Sequence, residues 1–513
     1  MPQHQSIDTP ITASMLYDLV TCPHRVTMDL FGNPKEKDNP NPFVELLWEK
    51  GTLYEDEVIQ NLKLPFLDLR KFAGAEKAAA TRKAMSEGVA LIYSGRIEAD
   101  DLLGDPDLLR KEGSAYAPID IKSGAGEEGS DEDEDGKLKK TYAVQLALYV
   151  DILERLRLSA GKVGYIWDIH GEEVAYRLDD TRTKTGKETL WQEYQNCLTQ
   201  ARGIVNRSLE TLPACASVCK LCHWYSSCLK AVKAADDLSL IPELGRTKRD
   251  AMMNEISSVL AFAECNPEAY FDGKKTRFAR IGQDTLRKFH KRAKLLAGHD
   301  LGPYLKEPII LPSPPLEIFF DIEVDTMRGR CYLHGFIERL NRDNSTEQYV
   351  AFFMDSIDER GEEAAFDAAW RYIKGKQPCA IYYYSKYERT IWRKLQAKYP
   401  RICNSRDIES LFNPGMTIDL YGDVVRSKTE WPTYDHSIKT LAKFLGFQWR
   451  DTHPSGAASI QWFDEWVKLG DPKMKQRILD YNEDDCRATR WLLDGLRNLS
   501  NSTNDTQEEK KAG

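Results

Sequence analysis

Residues 104–124 have the sequence GDPDLLRKEGSAYAPIDIKSG, and this stretch decides the fold of the first half of the chain. Two apolar-alternating runs, 108–110 and 116–122, flank a Gly-Ser turn and predict two neighbouring strands. Because side chains alternate along a strand, Asp120 and Lys122 are expected on one face of the second strand.

Asp107 comes just before the first of these strands and can reach the same end of the sheet. Two carboxylates at one place repel each other, whereas a divalent cation holds them together. The stretch therefore predicts a site for Mg²⁺ or Mn²⁺ that activates water against a phosphodiester. An Asp-x-Lys tripeptide alone is more often a solvated face, so this interpretation depends on its surroundings.

Two predicted helices add further polar side chains to this predicted site. The segment GTLYEDEV offers Glu55, and TYAVQLALYVDILERL has a helical apolar period that sets Gln145 and Tyr149 on one face. In order and spacing, Glu55, Gly104-x-Pro106-Asp107, Asp120-x-Lys122 and Gln145-x3-Tyr149 resemble the PD-(D/E)xK nucleases of the RecB type.

This resemblance implies a restriction-endonuclease-like domain and a role for each matching residue. Glu55, Asp107 and Asp120 would bind the metal, with the carbonyl of Ile121 completing its shell. Lys122 would stabilise the nucleophile or the charged phosphate. Gln145 and Tyr149 would position the substrate strand.

The composition limits the function classes. The chain has 513 residues, 42% of them hydrophobic, which suggests two to four domains. It has no run of about 18 apolar residues and begins without an apolar signal region, so we expect a soluble, cytoplasmic protein with no membrane partner. The net charge of −9 argues against a uniformly basic nucleic-acid coat but leaves room for local basic patches.

Eleven cysteines in such a chain are better interpreted as metal ligands and buried thiols than as disulfides. Cys22 is predicted inside a helix that begins near Thr12 or Ser14, and a Cys-x2-Cys-x5-Cys run follows two hundred residues later. If that helix packs on the run, four thiolates gather: Cys22, Cys219, Cys222 and Cys228.

The distant cysteine plus this run is similar to the iron-sulfur staple of several RecB-like nucleases, which implies a structural 4Fe-4S cluster. Zinc is the alternative, although zinc sites more often use two close pairs of cysteines, and buried unliganded thiols are a third. Cys215 also makes a possible pair with Cys219, but the resemblance uses only the later three cysteines of the segment.

An acidic run, GEEGSDEDEDG, follows the predicted centre and holds seven acids over residues 126–136. It has no apolar face to bury, so it predicts a mobile loop. Close to the centre, such a loop would repel nucleic acid unless it moved aside.

The segment 238–300 is basic, whereas the chain as a whole is acidic. Between residues 241 and 300 there are twelve Lys and Arg against eight Asp and Glu. The segment contains two stretches in which a hydrophobic run is followed by a short turn with Gly and then by a helix with basic residues. These stretches resemble helix-hairpin-helix modules, which implies phosphate contacts by Arg280, Arg287 and Lys288. An ordinary helical linker with a solvated basic face is the alternative, because Glu243 stands where the motif usually has Gly.

A second centre is predicted in the last third of the chain. Asp321 and Glu323 alternate on a hydrophobic strand, and Tyr481 and Asp485 lie one turn apart on a helix. An acid pair on a central strand plus an acid on a packed helix suits two metal ions about 4 Å apart.

Asp-x-Glu and Tyr-x3-Asp resemble the outer motifs of DEDD exonucleases, which have an RNase H-like fold, in the class with Tyr in the third motif. This implies that Tyr481 orients the attacking water and that DNA or RNA is trimmed from a 3′ end. The middle motif departs from the family, since Glu388 stands where Asp is usual, and Asp419 is the alternative fourth acid. An inactive, nucleic-acid-binding domain is the competing interpretation.

We therefore predict an α/β (α+β) chain with a restriction-endonuclease-like domain, a small helical segment and an RNase H-like domain. The predicted bounds are 1–235 for the first domain with its cysteines, 238–300 for the helical segment, 301–315 for a Pro-rich linker, 316–499 for the second domain and 500–513 for a disordered tail. The predicted function is a metal-dependent nuclease acting on DNA, or on RNA, in repair or processing. A nucleic-acid-binding scaffold is the alternative. The chain has no P-loop, so a helicase motor would be a separate partner.

Overall fold

The computed structural model describes residues 9–128, 136–183, 186–298, 302–452 and 454–512, with side chains as far as residue 500. Contacts divide the chain into two compact units, Met1–Pro213 with Ser217–Leu229, and Ala214–Ala216 with Lys230–Gly513. Most of the acidic run predicted to be mobile lies outside the described residues. The same holds for the side chains of most of the predicted disordered tail, through which the last helix continues as far as Ala512.

The first unit combines short strands with longer helices. Its strands are β1 (Ile11–Thr12), β2 (Leu67–Asp68), β3 (Leu91–Tyr93), β4 (Ile97–Ala99), β5 (Leu102–Gly104), β6 (Leu108–Glu112), β7 (Ala115–Ile121), β8 (Glu127–Glu128), β9 (Lys137–Leu138), β10 (Val163–Trp167) and β11 (Glu173–Arg177). Its helices are α1 (Ala13–Thr21), α2 (Pro23–Phe31), α3 (Pro42–Gln60), α4 (Gly74–Ser86), α5 (Lys140–Arg155), α6 (Leu190–Val205) and α7 (Tyr225–Ala234), the last of which contains the boundary between the units.

Strand β7 lies inside a mixed sheet. Among the described residues, the strand order is β11-β10-β7-β6-β3-β2, with β7 antiparallel to β6 and parallel to β10. Tyr116 packs into a core with α5, while Ile119 and Ile121 pack into another with Ile59 of α3. A strand covered on both faces is apolar almost throughout, so Asp120 is a charged exception within it.

The predicted first helix is broken in two. Thr12 caps α1 as expected, since its side chain accepts a hydrogen bond from the N–H of Met15. The placement of Cys22 inside a helix is wrong: it is extended, with φ −161° and ψ 107°, between α1 and α2. The physical reason is Pro23, whose ring disfavours the helical conformation at the residue before it.

The second unit is richer in long strands. Its strands are β12 (Phe271–Asp272), β13 (Lys275–Thr276), β14 (Tyr304–Leu305), β15 (Leu316–Asp325), β16 (Arg330–Leu340), β17 (Asp343–Phe353), β18 (Ala380–Tyr383), β19 (Thr417–Asp419) and β20 (Thr429–Glu430). Its helices are α8 (Gly245–Met252), α9 (Val259–Glu264), α10 (Gln283–Ala297), α11 (Glu359–Gly375), α12 (Tyr387–Lys398), α13 (Ser405–Leu411), α14 (Ile438–Phe444), α15 (Gly456–Leu469) and α16 (Pro472–Ala512).

Strand β15 is the centre of the main sheet of this unit. In the part of the chain that the structure describes, the order is β17-β16-β15-β18-β19, with β15 antiparallel to β16 and parallel to β18.

Helix α16 approaches this sheet closely at Gly335, which pairs with Asp321. A Cβ atom on Gly335 would lie 1.6 Å from Oδ1 of Asn482, so only glycine lets the helix sit there.

The predicted mixed α/β class is confirmed.

The chain segment between the strands of the two larger sheets has a core of its own. Helices α8, α9 and α10 and the β12-β13 hairpin share this hydrophobic core around Phe262 and Phe289. The predicted Pro-rich linker includes β14, which pairs with β20. Of the helices that the structure describes, none is both long and apolar enough to cross a membrane.

Candidate active sites

Three charged groups meet at the end of β7. Nζ of Lys122 lies 2.9 Å from Oδ2 of Asp120, and Oδ2 of Asp107 accepts a hydrogen bond of 2.7 Å from the N–H of Ile121. Burial raises the pKa of Asp107 well above its usual range, and the Asp120 carboxylate adds to this rise. Burial alone would lower the pKa of Lys122, but Asp120 and Asp107 outweigh it and raise that pKa. The lysine is therefore a fixed positive charge between two acids.

Helix α3 brings a third acid to the same place. Oε1 of Glu55 accepts a hydrogen bond of 2.9 Å from the Tyr93 hydroxyl. The Glu55 charge also contributes to the raised pKa of Asp107. The structure thus brings Glu55, Asp107, Asp120 and Lys122 together from one helix and the β6-β7 hairpin.

Helix α5 brings Tyr149 close to the acids of this centre. Tyr149 is 4% exposed, and burial followed by the charges of Asp120 and Asp107 raises its pKa well above the usual range. A Cβ atom on Gly104 would lie 2.6 Å from Cδ1 of Tyr149. The glycine that precedes the acidic motif therefore makes room for the tyrosine ring.

Two buried oxygen atoms of this centre have no hydrogen-bond partner among the described residues, Oδ1 of Asp120 and Oε1 of Gln145. Buried acceptors are normally satisfied, so each points to a group that the protein atoms do not supply. Oxygen donors are the ligands that Mg²⁺ and Mn²⁺ prefer, so these residues fit such an ion.

The second centre is a tight cluster of acids on β15 and α16. Carboxylate oxygens of Asp321, Glu323 and Asp485 all lie within 4.8 Å of one another, and no other set of three ligating side chains in the described residues does so. Glu323 and Asp485 are buried. An arrangement this close demands either protons or cations to offset the repulsion.

Burial and the repulsion between these acids raise the pKa values of Asp321 and Glu323. Burial raises the pKa of Asp321 well above its usual range, and the charges of Asp485, Glu323 and Glu388 raise it further. Burial, with Asp485, raises the pKa of Glu323 to about 8. Protons held by these acids at neutral pH are available for exchange against metal ions.

Glu388 and Asp419 are the two candidates for a fourth acid. Glu388 is 4% exposed in the first turn of α12, and its Oε2 has no hydrogen-bond partner among the described residues. Oδ1 of Asp419 accepts hydrogen bonds from the N–H groups of Ser385, Tyr421 and Gly422. Oδ1 of Asp419 thus holds the turn after β19. The buried Oε2 of Glu388 is consistent with the predicted fourth acid, and the choice between the two carboxylates stays a prediction.

Both centres fall inside regions that match known families. Residues 24–229 match the model of the PD-(D/E)XK nuclease superfamily, and residues 318–497 match that of the RNase H superfamily. The chain joins a PD-(D/E)XK nuclease domain to an RNase H domain. This confirms the predicted pairing of the two folds. Among curated proteins, none matches the chain.

The RNase H domain also holds site residues that sequence reasoning missed. Nζ of Lys439 lies 2.7 Å from the Tyr481 hydroxyl oxygen and 3.4 Å from Oδ2 of Asp485. Nε1 of Trp449 donates to Oδ1 of Asp485 at 2.7 Å, and Nδ2 of Asn482 donates to Oδ2 of Asp321 at 2.7 Å. Asn482 adjoins Tyr481 in the motif, but no spacing in the sequence marks Lys439 or Trp449.

Trp449 also lines a cleft next to the acid cluster. It lines a cleft of about 430 Å³ together with Lys443, Phe447 and Asp451. The tryptophan therefore connects this cleft with the carboxylate of Asp485.

The segment that carries Cys219, Cys222 and Cys228 contacts α2. His223 and Trp224, the two residues after Cys222, both contact Oδ1 of Asp29, at 2.7 Å and 2.9 Å. Burial raises the pKa of Cys222, and the charges of Cys22 and Cys219 contribute. Cys228 lies one turn further on, where its N–H donates to the carbonyl of Trp224. In the described residues no three of these sulfur atoms lie within 4.8 Å of one another.

Cys215 has a different environment. It packs against the hydrophobic core that contains Val232 and Leu238, and its N–H donates to Oγ of Ser239 at 2.9 Å. The structure therefore gives it a packing role in the second unit.

Two of the three basic residues predicted to contact phosphate, Arg287 and Lys288, pair with acids of their own segment. Arg287 pairs with Glu268 at 3.1 Å and with Asp284 at 3.5 Å, and Lys288 pairs with Glu243 at 2.8 Å. Arg280 lies in a turn with φ 63°. Phosphate would have to compete with these carboxylates for Arg287 and Lys288.

Proposed function

We propose that the chain is a metal-dependent nuclease that hydrolyses phosphodiester bonds at two separate centres. The observation that carries the proposal is the acid cluster of the RNase H domain. Three carboxylates within 4.8 Å of one another repel each other unless protons or cations neutralise them. Divalent ions bound by these acids would support two-metal phosphodiester chemistry. Both domains belong to nuclease superfamilies, so the substrate class is nucleic acid.

In the RNase H centre, the metal ligands would be Asp321, Glu323, Glu388 and Asp485. Bound Mg²⁺ or Mn²⁺ supplies Lewis acidity and lowers the pKa of water. The Tyr481 hydroxyl, held by Lys439, orients the attacking water. We assign this centre the trimming of a 3′ end, as in the exonucleases that its motifs resemble.

In the PD-(D/E)XK centre, the metal ligands would be Glu55, Asp107, Asp120 and the carbonyl oxygen of Ile121. Lys122 lies against Asp120, where its ammonium group stabilises the attacking oxygen or the charged phosphate. Gln145 and Tyr149, on one face of α5, position the strand that is cut.

We further propose DNA as the preferred substrate, RNA as the alternative, and repair or nucleic-acid processing as the setting, with any helicase a separate protein. We place the protein in the cytoplasm, a reducing compartment that suits a chain with eleven cysteines interpreted as metal ligands and buried thiols. Arg280, Arg287 and Lys288 would add phosphate contacts. Their replacement by Ala should weaken DNA binding and flatten its salt dependence, and an unchanged slope would leave the segment a structural one.

Cys22, Cys219, Cys222 and Cys228 would hold a 4Fe-4S cluster, with Zn²⁺ as the alternative, that ties α2 to the segment 217–229. The charge interaction of Cys222 with Cys22 and Cys219 supports this set, and iron-sulfur clusters are commonly held by four thiolates. Cys222→Ser should remove the visible absorbance of the iron form and loosen the domain. Cys215→Ser is the matched control and should keep the absorbance.

The test of the whole proposal is digestion of single-stranded DNA and RNA, labelled at either end, in the presence of Mn²⁺. Asp120→Asn and Asp321→Asn should each abolish one set of products, with a rate loss of about 100-fold or more, and the double variant should abolish both. Glu112→Gln and Glu338→Gln change acids outside the centres and serve as controls. Absence of cleavage with every divalent ion would instead support a nucleic-acid-binding scaffold.

A further inference from the structure

Lys439 brings a positive charge into the acid cluster of the RNase H domain. Its ammonium nitrogen lies 2.7 Å from the Tyr481 hydroxyl oxygen and 3.4 Å from Oδ2 of Asp485. It is also near enough to Asp321 and Glu323 to counter the rise in their pKa values. One lysine therefore acts on two of the strand acids and on both functional side chains of α16.

The position of this lysine is fixed by the fold. Helix α14 begins at Ile438, and its cap Ser437 accepts a hydrogen bond from the N–H of Thr440. Leu441 of this helix packs in a core with Leu492 and Leu493 of α16. The lysine thus reaches the acids from a packed helix that is anchored to the helix bearing Tyr481 and Asp485.

The carboxylate of Asp485 is held at both oxygens. The Lys439 ammonium faces Oδ2, and Nε1 of Trp449 donates to Oδ1 at 2.7 Å. Two donors from different elements fix the plane of the carboxylate. The Tyr481 oxygen accepts from Lys439, which directs the remaining hydroxyl proton away from the lysine.

An ammonium group and a divalent ion compete for the same acids. Like charges within several ångströms repel each other even at the effective dielectric of a protein site. A lysine in this position must therefore weaken metal binding, and its benefit has to lie in the orientation of the groups that it holds.

We propose that Lys439 is a positioning residue of the RNase H centre that orients Tyr481 and Asp485 for hydrolysis at the expense of metal affinity. This inference rests on the proposed function, since it assumes that the acids bind divalent ions. It differs from a purely structural role because it requires metal affinity and turnover to change in opposite directions when the charge is removed.

The test uses the full-length protein and Mn²⁺ as the probe. Calorimetry or the electron paramagnetic resonance of free Mn²⁺ gives the affinity, and the difference between wild type and Asp321→Asn defines the ions bound at this centre. Lys439→Met should bind these ions on the order of tenfold more tightly while its kcat at saturating Mn²⁺ falls about 100-fold. Lys439→Arg, which keeps the charge, should return the affinity towards that of wild type.

Lys376→Met is the matched control, because this lysine pairs with Glu338 at 2.6 Å, outside the acid cluster, and should change neither quantity. If Lys439→Met does not fold, Lys439→Gln keeps a hydrogen-bond donor for Tyr481 without the charge and carries the same test. Unchanged or weaker Mn²⁺ binding in the uncharged variant overturns the inference.

The same titration separates this inference from the function on which it rests. If wild type and Asp321→Asn bind equal amounts of Mn²⁺, the RNase H centre binds no metal, and the proposed function fails there together with the inference. If they differ but Lys439→Met binds like wild type, only the inference about Lys439 fails.

Discussion

Glu323 shows most directly how burial prepares a residue for metal binding. Its pKa is raised to about 8 by burial and by the charge of Asp485, above the ordinary value near 4.3. Because the folded state holds this proton more tightly than the unfolded chain, the resulting stabilisation is complete below the ordinary pKa and is lost as pH rises towards 8. A divalent ion bound at the proposed site would replace the proton and restore stability at high pH.

The pH dependence of metal stabilisation follows from this sign. Between about pH 6 and pH 8, added Mn²⁺ should raise the unfolding temperature of the RNase H domain by a growing amount, because fewer protons compete for the acids. Differential scanning calorimetry with and without Mn²⁺ measures the shift. Glu323→Gln should flatten the pH dependence and Glu338→Gln should leave it unchanged. A shift in wild type that does not vary with pH contradicts the prediction.

Gly104 is a second residue whose role is set by a close neighbour. Gly104→Ala places a methyl group 2.6 Å from a ring carbon of the buried Tyr149. Overpacking of this kind should lower the free energy of unfolding by about 1–3 kcal/mol and displace the tyrosine from the acids, which chemical denaturation and digestion assays measure. Gly51→Ala is the control, since a Cβ there is 3.8 Å from Oγ of Ser123 and alanine favours helix α3 by up to about 1 kcal/mol.

At the scale of elements, a buried ion pair joins α10 to β20. Nε of Arg292 lies 2.8 Å from Oε2 of Glu430, and both side chains are almost completely buried. Glu243, in a left-handed turn with φ 65°, accepts a further contact of 3.0 Å from Arg292. Glu243 stands where the helix-hairpin-helix motif usually has glycine, and its carboxylate takes part in an internal network of ion pairs.

Breaking that pair should be costly. Arg292→Met leaves the buried carboxylate of Glu430 with less compensation and should destabilise the unit by about 3–5 kcal/mol in urea denaturation. Arg287→Met removes an exposed pair from the same helix and should cost less than about 1 kcal/mol. Equal losses in the two variants would show that the burial of Arg292 does not matter.

At the scale of the whole molecule, the candidate residues of each centre come from one compact unit, and the two sets of residues differ in charge. In the PD-(D/E)XK domain Lys122 contacts Asp120 directly. In the RNase H domain three acids, Asp321, Glu323 and Asp485, lie within 4.8 Å of one another, and Lys439 contacts Asp485. The second centre should therefore depend more steeply on metal concentration.

Independent centres should contribute additively to cleavage. Because each centre draws its residues from one unit, the rates of Asp120→Asn and Asp321→Asn on a common labelled substrate should sum to that of wild type, as expected for sites without shared contacts. Product analysis by gel electrophoresis over a Mn²⁺ series measures both rates. A single substitution that abolishes both product patterns would show that the centres act in series.

Local sequence periodicity determined much of both candidate sites. The alternation of Asp120 with Lys122 and of Asp321 with Glu323, and the helical turn between Tyr481 and Asp485, depend only on the repeat of one element, so they can be predicted without knowing what packs where. Pro23 carried a local signal as well, and its effect on Cys22 follows from backbone sterics alone.

The tertiary structure decided which elements meet. Lys439 reaches the acids from α14, Trp449 from the loop after it and Asn482 from α16. The spacing of these residues along the chain has no period that predicts such contacts. The environments of Glu388 and Asp419 likewise depend on the fold, since Oδ1 of Asp419 accepts three backbone N–H groups whereas Oε2 of the buried Glu388 has no hydrogen-bond partner among the described residues. The physical reason is that side-chain direction within an element is set by local geometry, whereas contacts between elements are set by the packing of surfaces far apart in sequence.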